Sequence, residues 1–137
     1  MDQNFEFPTK LARPDSIGIA CSDETTTLTA ITAATFRMPY TMRLTEVIAT
    51  VVTAVTVQDL ITDINKTEVG KAEVSILSSK LKIPFSAGAN TGLTSVGYAK
   101  PVISDALLPE GCQISIVRDQ VGTAGAGHKV WLKGFRA

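Results

Sequence analysis

The longest run of apolar and β-branched residues covers positions 43–57 and consists almost entirely of Val, Ile, Leu, Ala and Thr. Branched side chains lose χ1 freedom in a helix but pack well on a pleated sheet, so the run favours an extended backbone. It is too short and too rich in threonine for a transmembrane helix, which needs about 20 mostly apolar residues. We therefore predict a long central strand, with one face in the core and the other covered by a neighbouring sheet or subunit.

Shorter segments alternate between apolar and polar residues with the period of two that is typical of half-exposed strands. In one of them Leu81, Ile83 and Phe85 are expected to face inward and the two lysines to face water. Pro39 cannot donate to a β-ladder, so the strand that contains it is expected at an edge or to end there. The predicted strands cover residues 16–21, 35–40, 60–65, 73–77, 80–85, 101–104, 112–118 and 128–136.

No segment has the pattern of an amphipathic helix, and about eight short strands joined by turns are typical of a sandwich or jelly roll. The sequence predicts an all-β fold, an antiparallel β-sandwich that is jelly-roll-like. The first and last strands often pair in such folds, so we expect the two ends of the domain to lie close together.

Residues 1–15 differ from the rest because they contain two prolines and no periodicity, which predicts an extended N-terminal arm before a β-sandwich domain at residues 16–137. Phe5, Phe7 and Leu11 are apolar enough that we expect the arm to lie on a neighbouring subunit or on its own sheet. The first residues lack the basic head and apolar run of a signal peptide, so synthesis is expected to end in the cytoplasm.

Composition narrows the possible functions. Hydrophobic residues make up 45% of the chain and charged residues 19%, which argues against disorder. Thirteen basic residues balance thirteen acidic ones and lie scattered, so nucleic acid is not an expected partner. Cys21 and Cys112 lack the spacing of metal ligands, and two buried free thiols are the favoured interpretation over a single disulfide.

Two loops stand out. Residues 86–100 are rich in glycine and polar residues and are predicted to form the longest loop, in which Tyr98 is a candidate contact. Residues 122–127 contain three glycines, and we expect a flexible hairpin loop there. A phosphate-binding loop is disfavoured because the segment precedes a strand and lacks the required lysine and helix N-terminus.

Candidate chemistry is sparse. His128 is the single histidine, and no motif marks a nucleophile for it to activate, so a solvated histidine at a strand end, available as a loop contact, is the favoured interpretation. Asp59, Asp63 and Glu68 do not have the spacing of a cation loop and are expected to be solvated loop carboxylates. We predict no catalytic residues, no metal and no cofactor.

The aromatic residues admit two interpretations. Trp131, Tyr40, Tyr98 and Phe135 would suit a sugar-stacking platform, because aromatic faces complement the apolar faces of sugars. Aromatic residues make up 6% of the chain, and core packing is the more economical use of Trp131 and Phe135.

Several short segments together resemble small virion structural proteins of tailed bacteriophages, including the β-sandwich modules of capsid decoration and head- or tail-fibre proteins. The resemblance spans about residues 35–134 as a pattern and carries no catalytic signature. It rests on residues 36–40 (FRMPY), 44–47 (LTEV), 63–65 (DIN), 76–81 (ILSSKL), 102–105 (VISD) and 125–130 (GAGHKV).

This resemblance implies a non-enzymatic, oligomeric protein, often a trimer, bound on the outer surface of a phage head after synthesis in the host cytoplasm. The leading hypothesis is a capsid decoration (cement) protein that clamps capsomers through its loops and its N-terminal arm, with Phe5, Phe7 and Leu11 as the capsid or subunit contacts. Its partners are its own copies and the major capsid protein, with no membrane partner. The alternative is a head- or tail-fibre module that binds a cell-surface glycan. An enzyme such as a glycan hydrolase is disfavoured because no paired acid and base carboxylates can be recognised.

Overall fold

The computed structural model describes residues 13–85 and 101–136, and these residues form strands without any helix. The all-β prediction is therefore confirmed for this part of the chain, although the strands number eleven and several are only two or three residues long. The strands are β1 (Arg13–Ala20), β2 (Thr32–Arg37), β3 (Met42–Thr50), β4 (Leu60–Thr67), β5 (Val74–Ser75), β6 (Leu77–Ser79), β7 (Leu81–Ile83), β8 (Val102–Ile103), β9 (Leu107–Leu108), β10 (Gln113–Gln120) and β11 (Lys129–Arg136).

A four-stranded antiparallel sheet has the order β1-β11-β3-β9. Strands β1 and β11 pair along their whole length, with Arg13 opposite Arg136 and Ala20 opposite Lys129. The start of the first strand and the end of the last strand are thus neighbours, which confirms that prediction. Strand β1 begins at Arg13, inside the predicted arm at residues 1–15.

Strand β3 is shorter than the predicted strand at residues 43–57 because it ends at Thr50. The following residues leave the sheet and meet the glycine-rich segment through isolated bridges, Thr53 to Ala126 and Thr56 to Thr123. Val57 has a φ of 74°, a left-handed conformation that interrupts any strand. The apolar pattern of the sequence does not reveal that β3 ends at Thr50. Val51 and Val55 follow the strand but are still fully buried, so the sequence stays apolar beyond its end.

The second sheet has five strands in the order β2-β10-β4-β5, and β7 pairs with β4 on the same side as β5. Strand β2 lies at an edge shortly before Pro39, as the proline predicts. Leu81 and Ile83 of β7 are buried as expected, whereas Phe85 is half exposed because the ladder ends at Ile83 before Pro84. A separate pair joins β6 to β8.

The main core is one hydrophobic cluster to which both larger sheets contribute side chains. Strand β11 contributes Val130 and Leu132 from one sheet, and β10 contributes Ile114 and Ile116 from the other. All four side chains are fully buried and belong to one continuous hydrophobic cluster. Burial of apolar surface at about 25 cal/mol per Å² makes this cluster the dominant source of stability.

Residues 122–127 connect β10 in one sheet to β11 in the other, so the predicted hairpin loop is a crossing between sheets instead. Gly122 and Gly127 adopt φ of 62° and 75°, which other residues rarely adopt. A Cβ at Gly127 would overlap the side chain of Val52, so this segment packs tightly against residues 51–57. Glycine is needed here because it lets the two backbone segments approach each other closely.

Both cysteines are buried free thiols, as the sequence indicates. Cys21 follows β1 directly, and Cys112 precedes β10. Their backbones bond to different segments of the chain. Cys21 N–H donates to the carbonyl of His128, and the carbonyl of Cys112 accepts from Met38 N–H.

Candidate functional site

The outer face of the four-stranded sheet displays several exposed apolar side chains. In β11 the side chains alternate, so that Val130 and Leu132 are buried while Trp131 and Phe135 are 40% and 42% exposed. The expectation that these two aromatic residues pack in the core is therefore wrong. They share the parity of Lys129 and Lys133 and face outward with them.

Trp131 lies over the edge strand β1. Its cross-strand partners are Gly18 on one side and Ile48 on the other. A Cβ added to Gly18 would lie only 2.7 Å from Cε3 of Trp131, so the indole covers the glycine directly. An aromatic ring over a cross-strand glycine protects the exposed backbone at that position. The indole thus combines a structural contact with a partly exposed face.

Phe135 occupies the other end of the same face. Its cross-strand partners are Pro14 and Arg43, and Arg43 in turn pairs with Leu107 of β9. Successive residues of a strand on one face are about 6.6 Å apart, so Trp131 and Phe135, four residues apart, cannot stack on a single sugar ring. We define the outer apolar face as Pro14, Ile48, Leu107, Trp131 and Phe135.

The two lysines of this face each have a carboxylate partner, whereas exposed Arg43 forms no ion pair within the described residues. Lys133 Nζ lies 3.6 Å from Glu46 Oε1, and Lys129 forms an ion pair with Glu24. Each pair is partly exposed and worth at most about 1 kcal/mol to stability. Their joint effect is to leave the surface around Trp131 without a strong charge of either sign.

His128 lies inside the protein with no exposed surface, so its interpretation as a solvated strand-end residue is wrong. It precedes β11 and has the parity of Val130 and Leu132, which points it into the core. Its Nε2 lies 3.3 Å from Oγ1 of Thr62, and its Nδ1 lies 3.4 Å from Nη1 of Arg118. As a buried residue it is not available as a loop contact.

The neighbours of His128 define its protonation state. A guanidinium can only donate hydrogen bonds, so Nδ1 accepts from Arg118 and the imidazole proton is on Nε2, which donates to Thr62. Burial and the nearby positive charge of Arg118 lower the pKa of His128 to about 4. The imidazole is neutral at physiological pH and has no free lone pair for base catalysis or metal binding.

Arg118 is the centre of this buried polar cluster and is only 4% exposed. Its Nε donates to the carbonyl of Thr29 and its Nη1 to the carbonyl of Cys21, both at 2.8 Å. These bonds hold the segment between β1 and β2 against β10. Burial lowers the pKa of Arg118, while its coulombic interaction with the Cys21 thiol opposes that shift.

A second buried cation lies at the other end of the five-stranded sheet. Lys66 is 4% exposed, and its Nζ is 2.6 Å from Oδ2 of Asp105, 3.3 Å from Oε2 of Glu68 and 3.0 Å from the carbonyl of Leu107. Desolvation acts to lower the pKa of Lys66, but the bonds to Asp105 and Glu68 outweigh it and raise the pKa. This lysine is a charged, structural link between β4 and the segment around β9.

Three carboxylates considered for metal binding are held apart by separate lysines. Asp59 lies 3.9 Å from Lys82, and Asp63 lies 3.8 Å from Lys80, whereas Glu68 belongs with Lys66. Asp63 is also buried on β4, where it accepts a hydrogen bond from Ser75, so it is not a solvated loop residue. Within residues 13–85 and 101–136, no group of metal-binding side chains is assembled.

Several predicted contact residues cannot be placed. Phe5, Phe7, Leu11 and Tyr98 lie outside the described residues. Tyr40 is described, but it lies beneath the guanidinium of Arg136, whose central carbon is 3.8 Å from the ring centroid. Of the four aromatic residues considered for a sugar-stacking platform, Trp131 and Phe135 are exposed on the same face. They lie at separate positions and do not form one platform.

Arg118, Thr62 and Lys66 were not predicted as buried polar residues. Each has the parity of buried neighbours, as Arg118 does with Ile114 and Ile116 on β10. Extending the alternation by one step would have placed these polar residues on the inner face. What the pattern could not supply is their partners, which come from distant parts of the chain.

Comparison with protein-family models, with curated proteins and with solved structures gives no match to this chain. The described residues contain no helix with the length and hydropathy required to cross a membrane. The fold defines the described part of the chain as all-β and built of antiparallel sheets.

Proposed function

We propose that this chain is a non-enzymatic structural protein of a phage virion, a capsid decoration protein that trimerises on the outer surface of the head and stabilises contacts between capsomers. The proposal joins the sequence resemblance to one structural observation, the outer apolar face. The finer description of the fold, a jelly-roll-like β-sandwich, belongs to the same proposal.

The outer apolar face supports assembly because it offers area that gains by burial. Trp131 and Phe135 are the kind of residues that dominate interface energetics, and aromatic residues are enriched in interface cores. The lysines next to Trp131 already have carboxylate partners, as Lys133 has in Glu46, so they would stay paired when this face is buried. Arg43, opposite Phe135, forms no ion pair within the described residues, and a carboxylate of the neighbouring chain would be its natural partner.

The edge of the same sheet supports the proposal as well. Strand β1 is eight residues long and pairs only with β11 among the described strands. An edge of this length presents backbone donors and acceptors to which another chain can add a strand. The arm is attached at Arg13, next to the end of the outer apolar face at Pro14 and Phe135. An arm that docks on a neighbour would thus start beside the proposed interface.

Light scattering of the purified chain tests the assembly. We expect a homotrimer, and Phe135→Ser is expected to shift it toward monomer because it removes an exposed anchor from the face. The matched control is Val69→Ser, since Val69 is 90% exposed in a turn and is not part of the outer apolar face. A mass of one 14.5 kDa chain at micromolar concentration would contradict trimerisation. Equal effects of the two variants would contradict the assigned face.

Occupancy on undecorated capsids tests the particular role. The full chain and a form without residues 1–12, which retains all of β1, are compared for thermal unfolding and for binding to capsids by cryo-electron microscopy. We expect both forms to fold and the shortened form to decorate fewer positions. If the full chain does not bind capsids, the decoration role is wrong. If the shortened form binds equally, the arm is not the anchor.

A glycan-binding fibre module is the second candidate, and the exposed indole of Trp131 favours it. Sugars stack on aromatic rings of this kind. Trp131 is the chain's single tryptophan, so its fluorescence reports on this position alone. Saturable changes on titration with host surface polysaccharide would support the fibre module over the decoration protein. An unchanged spectrum at saturating polysaccharide would exclude binding at Trp131.

A further inference from the structure

The guanidinium of Arg118 retains donors that the described residues do not use. Its Nε bonds to Thr29, and its Nη1 bonds to Cys21 and His128. No acceptor for Nη2 occurs among residues 13–85 and 101–136, although arginine carries five N–H donors. Arg118 is only 4% exposed, so solvent reaches little of it. The N–H donors of Nη2 are therefore available for a further partner.

Arg118 also forms no ion pair within residues 13–85 and 101–136. The ion pairs there involve other cations, and the immediate neighbours of Arg118 are a neutral imidazole and a thiol. Burying a cation without a counter-charge is costly. Lys66 illustrates the alternative, because that buried cation has two carboxylates within 3.3 Å.

A pocket of about 290 Å³ adjoins Arg118. Its wall is formed by the segment between β1 and β2, including the apolar side chains of Leu28 and Ile31 and the threonines at positions 26, 27 and 29. This size lies near the lower limit of small-ligand sites, which begin at about 300 Å³. Asp23 also lies at the pocket, but its carboxylate accepts from the backbone of Thr25 and Thr26 in its own turn.

We propose that this pocket binds a small aliphatic carboxylate, with one carboxylate oxygen accepting from Nη2 of Arg118 and the hydrocarbon part against Leu28 and Ile31. A guanidinium is well suited to a carboxylate, and such charge-assisted hydrogen bonds are about twice as strong as neutral ones. The apolar wall selects against strongly hydrated inorganic anions. The site is independent of the outer apolar face, because it opens from the segment between β1 and β2.

Nuclear magnetic resonance titration of the wild-type chain with butyrate tests this site, and butyramide is the neutral control of nearly equal shape. We expect saturable shifts in the side-chain resonance of Arg118 and in the amides of residues 21–31, with butyramide causing none. Absence of saturable shifts with butyrate overturns the proposal. Equal shifts with butyramide overturn it as well, because the charge of Arg118 would then have no role.

Surface variants at the pocket mouth avoid disturbing the buried cluster. Ile31 is 54% exposed, and Ile31→Trp is expected to narrow the entrance and weaken butyrate binding at least tenfold, whereas Val69→Trp on a remote turn leaves it unchanged. Unaltered binding in Ile31→Trp would refute the assigned pocket. A capped glutamate separates the two sources of a carboxylate: if it binds and butyrate does not, the partner is a protein side chain and the small-molecule site is wrong.

Discussion

Nη1 of Arg118 donates to Nδ1 of His128 across 3.4 Å inside the core, and this contact fixes the histidine in its neutral form. The opposite side of the ring reaches Thr62, so both nitrogens have partners. Protonation of Nδ1 would place two positive groups in contact without solvent. A buried arginine therefore makes the fold sensitive to acid through its neighbour.

The pH dependence of unfolding tests this arrangement. The pKa of His128 is lowered from 6.5 to about 4, so the unfolded chain binds a proton that the folded chain rejects between these values. Stability is complete above pH 6.5 and falls as the pH approaches 4. Urea titrations at pH 7 and pH 5 are expected to differ by about 2 kcal/mol, from one pKa unit being 1.36 kcal/mol. His128→Gln serves as the control and is expected to lose most of this difference. An equal pH dependence in both proteins would contradict the neutral, buried imidazole.

Lys66 provides a second test, on a cation whose partners are present. Lys66→Met is expected to destabilise the fold by roughly 2 kcal/mol, because it removes three hydrogen bonds to charged and carbonyl oxygens from a buried site. Lys71→Met is the matched control, since Lys71 is exposed and pairs with the same Glu68. It is expected to cost less than about 0.5 kcal/mol. Chemical denaturation measures both variants. An equal loss of unfolding free energy in Lys66→Met and Lys71→Met would show that the buried bonds of Lys66 add nothing to stability.

The strands themselves could largely be predicted, because alternation is a local property of the sequence. The pattern of residues 128–136 predicted β11 correctly, and the same parity that turns Lys129 and Lys133 outward also turns Trp131 outward. The error at Trp131 arose from assigning an aromatic residue to the core by its type. Parity also places His128 with Val130 and Leu132, so its burial could have been predicted.

Long-range features of the fold could not be predicted in this way. The carbonyl groups that accept from Arg118 belong to Cys21 and Thr29, about 90 residues away or more in sequence. The end of β3 at Thr50 depends on the approach of the glycine-rich segment to residues 51–57. No local signal specifies such contacts, because they arise only when the two sheets come together.

Gly134 marks a bulge whose geometry excludes a side chain. Lys133 lies opposite Glu46 but Gly134 lies opposite Leu44, so Thr45 is an extra residue on β3. A Cβ on Gly134 would lie 2.9 Å from Cα of Leu44, closer than real contacts allow. Gly134→Ala is therefore expected to destabilise the fold by roughly 2–3 kcal/mol.

Gly70 is the control for this variant, because it has a φ of 77° with open space around the missing Cβ. Gly70→Ala introduces backbone strain without a clash and is expected to cost about 1 kcal/mol. Thermal or urea unfolding of both variants measures the difference. A Gly134→Ala protein as stable as Gly70→Ala would show that the bulge readily accommodates a methyl group.

Trp131 and Leu132 are adjacent residues on opposite faces of β11 and form a natural pair. Leu132 is fully buried, and Leu132→Ala is expected to cost about 2–5 kcal/mol. Trp131→Ala is expected to cost only about 1 kcal/mol, because the indole is partly exposed and its main intramolecular contact is with Gly18. Urea unfolding followed by circular dichroism compares the two under conditions where the chain is monomeric. A larger loss for Trp131→Ala would assign the indole a role in the core.

The two thiols provide the last test, because burial suppresses their reactivity by excluding reagent and by disfavouring the thiolate. Burial raises the pKa of Cys21 to about 11, and burial also raises the pKa of Cys112. The thiolate is the reactive form, so both thiols are expected to react slowly with a disulfide reagent in the folded protein and rapidly in urea. Two thiols per chain should then be counted, since both are free.

The order of reaction distinguishes the two positions. Both thiols border surface pockets, Cys112 with Pro109 and Gly111, and Cys21 beside Arg118. The carbonyl of Cys21 accepts from the buried guanidinium of Arg118, and local opening there must break this charge-assisted hydrogen bond, so Cys112 is expected to react first. Cys21→Ala and Cys112→Ala identify which thiol reacts, with labelling followed by mass spectrometry. Faster labelling of Cys21 would mean that the segment between β1 and β2 opens more readily than its bonds to Arg118 imply.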